Sequence, residues 1–81
     1  MDEDGGGLNE ARITLLAPVR FDQEIGYWTG EPDEQALTAA LEAVAQDPRV
    51  TRTLVAGGVT LSGPSEAVGA EAAALRRAGL A

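Results

Sequence analysis

Acidic side chains recur in two short runs, Asp22/Glu24 and Glu31/Asp33/Glu34. Two carboxylates held close together can share a proton for acid–base work or hold Mg²⁺ between them. The chain offers little to complete either device. It has no histidine and no cysteine, which removes the usual proton shuttle, the commonest metal ligand and the thiolate nucleophile. All its basic residues are arginines, which do not give up their proton at neutral pH. Acids ahead of an apolar run are also what the positive end of a helix dipole favours. The expectation is a chain with no catalytic site, metal or cofactor of its own.

Tyr27 and Trp28 stand next to each other in the Gly-flanked segment 26–30, and only Phe21 joins them as an aromatic residue. Neighbours in extended chain point to opposite sides, so one can cap a core while the other stays in solvent. An exposed aromatic beside carboxylates has the make-up of a protein-binding hot spot, because Trp and Tyr bring large, rigid area. Tyr27, Trp28, Asp22, Glu24, Glu31 and Arg20 are therefore the candidate partner-binding residues. Arg12 could join them from the same outward face as Arg20, although two solvated arginines explain that pair as well.

Gly58-Val59-Thr60-Leu61-Ser62-Gly63-Pro64-Ser65 has the glycine spacing of a phosphate-binding loop. Pro64, however, stands where the lysine must be and supplies neither a charge nor an amide donor. The same stretch resembles BON domains, in which a helix leads into a hairpin whose second strand reads Gly-Val-Val-Thr-Leu-Ser-Gly. The corresponding residues here are Gly57-Gly58-Val59-Thr60-Leu61-Ser62-Gly63, within a segment from Ala36 to Leu80. The chain departs from that family in lacking its closing strand, in carrying an added strand in front and in showing no export signal. Membership, and the membrane-associated role it implies, is not taken over.

With 81 residues there is room for a single core. A domain of this size buries roughly 60% of its unfolded surface and keeps a stability of only ~3–5 kcal/mol. Few aromatics among 44% apolar residues mean an aliphatic, thin core. A net charge of −7 repels phosphate backbones and anionic lipid, so no direct contact with nucleic acid or membrane is expected. The start, Met1-Asp2-Glu3-Asp4, is acidic where export signals are basic; with no cysteine, this points to the cytoplasm. Arginine without lysine and abundant alanine match the coding bias of a GC-rich bacterial or phage genome.

The elements that must position these residues follow from pattern. Residues 1–10 read as a disordered acidic, Gly-rich tail, and 11–81 as one α+β domain. Alternation over 12–21 predicts a strand with Ile13, Leu15, Ala17, Val19 and Phe21 inward, at an edge or bulged because of Pro18. Residues 22–30, with turn chemistry around Ile25, either return a short strand or form a structured loop. A helix begins at Glu31-Pro32-Asp33-Glu34, carries Ala36, Leu37, Ala40, Leu41, Val44 and Ala45 on one stripe, and ends at Asp47-Pro48. Residues 50–62 form a hairpin turning at Gly57-Gly58, which pairs Ala56 with Val59 and Leu54 with Leu61 on the core face. Ser62 or Ser65 caps a last helix with Val68, Ala72 and Leu75 inward, closed by Gly79-Leu80. The order β-α-β-β-α packs as two helices on one face of a small mixed sheet, a ferredoxin-like pattern lacking the last strand. Its open edge invites pairing.

The expectation for function is a small, acidic, non-enzymatic protein-binding module, such as an accessory subunit, adaptor or regulator. It would act through the aromatic loop and the open sheet edge. Self-association through that edge or the alanine-rich helices fits equally. Two alternatives are an acidic inhibitor that mimics nucleic acid, of phage or toxin–antitoxin type, and a small-molecule-sensing ferredoxin-like dimer.

Overall fold

The structure, a computed structural model, describes residues 9–22, 24 and 26–81, with the main chain alone for 21, 22 and 27–29. Of the tail expected over residues 1–10, residues 1–8 lie outside the described residues, as do Gln23 and Ile25, while Glu10 already belongs to the first strand. The elements are β1 (Glu10–Leu16), β2 (Val19–Asp22), β3 (Tyr27–Pro32), α1 (Glu34–Ala43), β4 (Thr51–Val55), β5 (Gly58–Pro64) and α2 (Ser65–Arg77). One sheet has the order β1-β5-β4, and β2 with β3 forms a second. Every pairing is antiparallel.

The class is α+β, but the expected mixed, ferredoxin-like sheet is not what forms. β1 runs antiparallel to β5 instead of parallel to a strand across a helical crossover. β5 brings fully buried Val59 and Leu61 and takes the centre, while β4, with Thr51, Arg52 and Thr53, tolerates an edge.

The strand expected over 12–21 breaks at Ala17-Pro18, and its halves join different sheets. Pro18 has no N–H to give a ladder. Its carbonyl accepts instead from Asp33 N–H at 2.8 Å, while Ala17 N–H donates to Gly57 O at 2.8 Å. Inward alternation therefore holds through Leu15 and Ala17 and fails at Val19, which is 45% exposed. The return strand forms as β3, with Trp28 opposite Phe21 and Tyr27 opposite Asp22. Between Val19 and Phe21 the register shifts, where Gly30 takes a φ of +84°.

The β4–β5 hairpin turns at Ala56-Gly57, not Gly57-Gly58, so Val55 pairs with Gly58 and Leu54 with Val59. Gly57 alone supplies the positive φ, at +74°. Gly58 is glycine for a different reason: a Cβ there would lie 2.2 Å from the main-chain oxygen of Leu15. Leu54's partner moves by two residues, which preserves the faces. Val59 and Leu61 face the helices as expected, but Ala56 is an exposed turn residue and Leu54 is 69% exposed.

Helix α1 starts where Asp33 Oδ1 accepts from Ala36 N–H at 3.1 Å. Asp33→Ala should cost about 1 kcal/mol and Asp33→Asn almost nothing, since asparagine caps equally well; urea midpoints check both. The helix ends at Ala43, before Asp47-Pro48, because Val44 turns extended (φ −114°). Ala45, assigned to the inward stripe, is exposed. Helix α2 follows β5 directly, with Pro64 at its N-cap and no side-chain cap, so neither Ser62 nor Ser65 acts as one. Its inward stripe is Val68, Ala72 and Leu75 as expected, with Ala67 and Glu71 beside them. At its end Leu80 N–H donates to Leu75 O and Gly79 N–H to Arg76 O, both at 3.1 Å, with Gly79 at φ +121°. This is the glycine cap the spacing predicts, and its hydrophobic partners Leu80 and Leu75 are both buried.

Leu15, Val59, Leu61, Val68, Ala72 and Leu75 make the centre of the core, completed by Leu37 and Ala40 of α1. Beyond α2, Ala81 and Leu16 donate N–H to each other's carbonyl, both at 2.9 Å, on the side of β1 away from β5.

Candidate functional site

The hairpin β2–β3 gathers the residues singled out from the sequence. Arg20 and Asp22 lie on β2, Tyr27, Trp28 and Glu31 on β3, and Glu24 in the turn between them. Arg20 Nη1 is 3.8 Å from Glu31 Oε1, both side chains well exposed; such a pair contributes little to stability. Arg12, by contrast, sits on β1 opposite Ser62, in the other sheet. Asp33 leaves the acidic run by capping α1. A shallow cleft of about 320 Å³ opens between Arg20, Pro32, Asp33, Glu34 and Gln35. Among the described residues no group of three or more acidic, histidine or cysteine side chains could hold a metal.

A second feature lies along β4. Leu37, Thr38 and Leu41 of α1 form one wall of a groove of about 320 Å³, Leu54 and Val55 the other, with Glu34 and Glu42 on the helix side. Leu54 shares the helix-facing side of the sheet with Val59 and Arg52, yet α1 stands off and leaves it open. The alternation that allotted Leu54 to the core could not show this, because coverage depends on where the helix docks.

Sequence reasoning also missed the polar knot that ties the C-terminal end of α1 to β4. Arg52 Nε donates to Glu71 Oε2 at 2.6 Å, Nη1 to Leu41 O at 2.9 Å and Nη2 to Val44 O at 2.8 Å. Glu71 Oε1 accepts from Asp47 N–H at 2.7 Å. Side-chain exposures are 13% for Arg52 and 2% for Glu71. The last turn of α1 has no basic residue, so its terminal carbonyls take their cation from β4. In the following loop, side-chain and main-chain hydrogen bonds from Arg49 hold the Asp47 carboxyl below its ordinary pKa. Period offered a signal for both partners. Arg52 lies two residues before Leu54, and Glu71 falls between Val68 and Leu75 on the α2 stripe. The knot positions elements and leaves no reactive group exposed.

No helix among the described residues is long and apolar enough to cross a membrane. In comparisons with known proteins, no family model matches the chain, and neither a curated protein nor a solved structure shows significant similarity to it.

Proposed function

We propose that this chain is a non-enzymatic protein-binding module, an adaptor, accessory subunit or regulator of the cytoplasm, and that the β2–β3 hairpin is its principal contact surface. The observation that carries the reading is that Arg20, Asp22, Tyr27, Trp28 and Glu31 share one two-stranded sheet distinct from the core sheet. An isolated two-stranded ribbon is marginal in water, so a covering partner stabilises it. Tyr and Trp are the side chains that most often carry binding energy at such contacts.

The test is affinity capture at low and high salt, comparing the wild type with Tyr27→Ala/Trp28→Ala and identifying retained proteins by mass spectrometry. A specific protein held at high salt and lost by at least about tenfold with the variant is the expected result. Capture of basic nucleic-acid-binding proteins alone, removed by salt, would replace the reading with nucleic-acid mimicry. Equal capture by both proteins would discard the hairpin as the site.

A further inference from the structure

We propose a second docking site, the open edge of β4 with its adjoining groove, whose occupant is an extended segment of a partner protein with the pattern basic–x–apolar–x–basic. The inference rests on the chain being a binding module, but on a different surface from the hairpin.

The edge is available for pairing. Leu16 spends both main-chain groups on Ala81, so it faces away from β5. Alternation then turns Leu15, Ile13 and Ala11 toward β5, where they meet Val59, Leu61 and Gly63. Those three residues of β5 cannot also bond β4, which leaves Gly58, Thr60 and Ser62 to pair with Val55, Thr53 and Thr51. The main-chain groups of Arg52 and Leu54 therefore face outward, ready to accept another strand. The free edge of β1 is a poorer template, being closed at Leu16 by Ala81 and presenting the charged Glu10 and Arg12.

The groove runs along this edge. At one end, Pro32 just before α1 approaches Gly57 of the β4–β5 turn; at the other, Arg52 holds the carbonyls of Leu41 and Val44. An apolar side chain from an added strand would enter between Leu37, Leu41 and the open Leu54.

Charge selects the occupant. Glu34 and Glu42 line the groove and form no ion pair among the described residues, and no basic residue lines it. They lie eight positions apart on α1, about 12 Å at 1.5 Å per residue. Side chains four apart on an extended strand are about 13–14 Å apart, so cations flanking the apolar residue reach both acids. A second copy of this chain is disfavoured, because two copies of charge −7 would face each other and the Arg52 of each is already committed to Glu71.

The test uses the full chain and a fluorescein-labelled peptide, Ser-Arg-Thr-Leu-Thr-Arg-Ser, read by anisotropy and by amide shifts at Arg52 and Leu54. Comparison peptides carry glutamates for the arginines, or the two arginines side by side. Leu54→Ala and Leu54→Pro differ in the outward N–H, which proline removes without touching a ladder bond; circular dichroism confirms folding, and Glu34→Gln/Glu42→Gln tests the charges in an unaltered strand. The expected result is binding of the spaced arginine peptide alone, weakened at least about tenfold by the glutamine pair and again by proline relative to alanine. Equal binding of all peptides, no binding, or indifference to the glutamine pair would overturn the proposal. So would a dimer in sedimentation that Leu54→Pro abolishes. A partner captured through Tyr27/Trp28 while these peptides fail would leave the hairpin reading standing and remove only this one.

Discussion

Glu71→Ala is expected to leave the protein largely unfolded near physiological temperature. The substitution strands the Arg52 guanidinium, with 13% of its side chain exposed, without its carboxylate, and leaves Asp47 N–H without its acceptor. Breaking a buried pair from one side costs about 3–5 kcal/mol, as much as the whole stability of a domain this small, ~3–5 kcal/mol. Glu71→Gln should be milder, because its amide oxygen can still accept from Arg52 or from Asp47, though not from both. Arg52→Lys should also fall short of the wild type. An ammonium cannot span Glu71, Leu41 O and Val44 O in the fork geometry that the guanidinium uses. Urea unfolding of the set, with a double-mutant cycle between the two positions, measures the coupling. A loss below about 1 kcal/mol for Glu71→Ala would show that the pair behaves like an exposed one.

The second large effect is expected at Gly63. Its φ is +144°, and a Cβ would stand 2.4 Å from the main-chain oxygen of Arg49 and 3.4 Å from Val50 Cα. Both obstacles are backbone, so no rotamer change relieves them. Backbone strain and overpacking each cost on the order of 1–3 kcal/mol, and Gly63→Ala should lose a sum of that kind. Gly69 is the internal control: it lies exposed within α2, and a Cβ there meets nothing within 4 Å. Gly69→Ala should therefore stabilise by about 0.5–1 kcal/mol. Thermal melts of the two variants moving in opposite directions would confirm both accounts; a neutral Gly63→Ala would mean that the loop carrying Arg49 yields easily.

What could be read from the chain alone was what local chemistry decides. The cap at Gly79-Leu80 was legible because a positive φ followed by a hydrophobic residue is enough to specify it, and the Val68/Ala72/Leu75 stripe because α2 packs along its whole length. The β4–β5 turn lies one residue earlier than the pattern predicts, since two adjacent glycines look alike until Leu15's carbonyl demands that one of them lack a Cβ. Pro18 signalled an irregularity, but only the tertiary arrangement shows that the chain changes sheets there. Arg52 and Glu71 are charged residues at inward positions of their elements, the pattern that a buried ion pair leaves in a sequence. Of the candidate contact residues, Arg20, Asp22, Glu24, Tyr27, Trp28 and Glu31 are neighbours in sequence, so a single hairpin gathers them with no long-range folding. The groove beside Leu54 is illegible in the sequence, because it depends on where α1 docks, which contacts at both ends of the helix decide.

The reciprocal bonds between Ala81 and Leu16 bear on how the molecule can be handled. Two residues that exchange both bonds are in antiparallel register, so anything joined after Ala81 is launched back along β1 toward Thr14 and Arg12. The first residues of a purification tag or fused domain attached there therefore start alongside the outer edge of β1. The same junction is a graft point from which a designed segment could be spliced on as a further strand, on the opposite border of the sheet from β4.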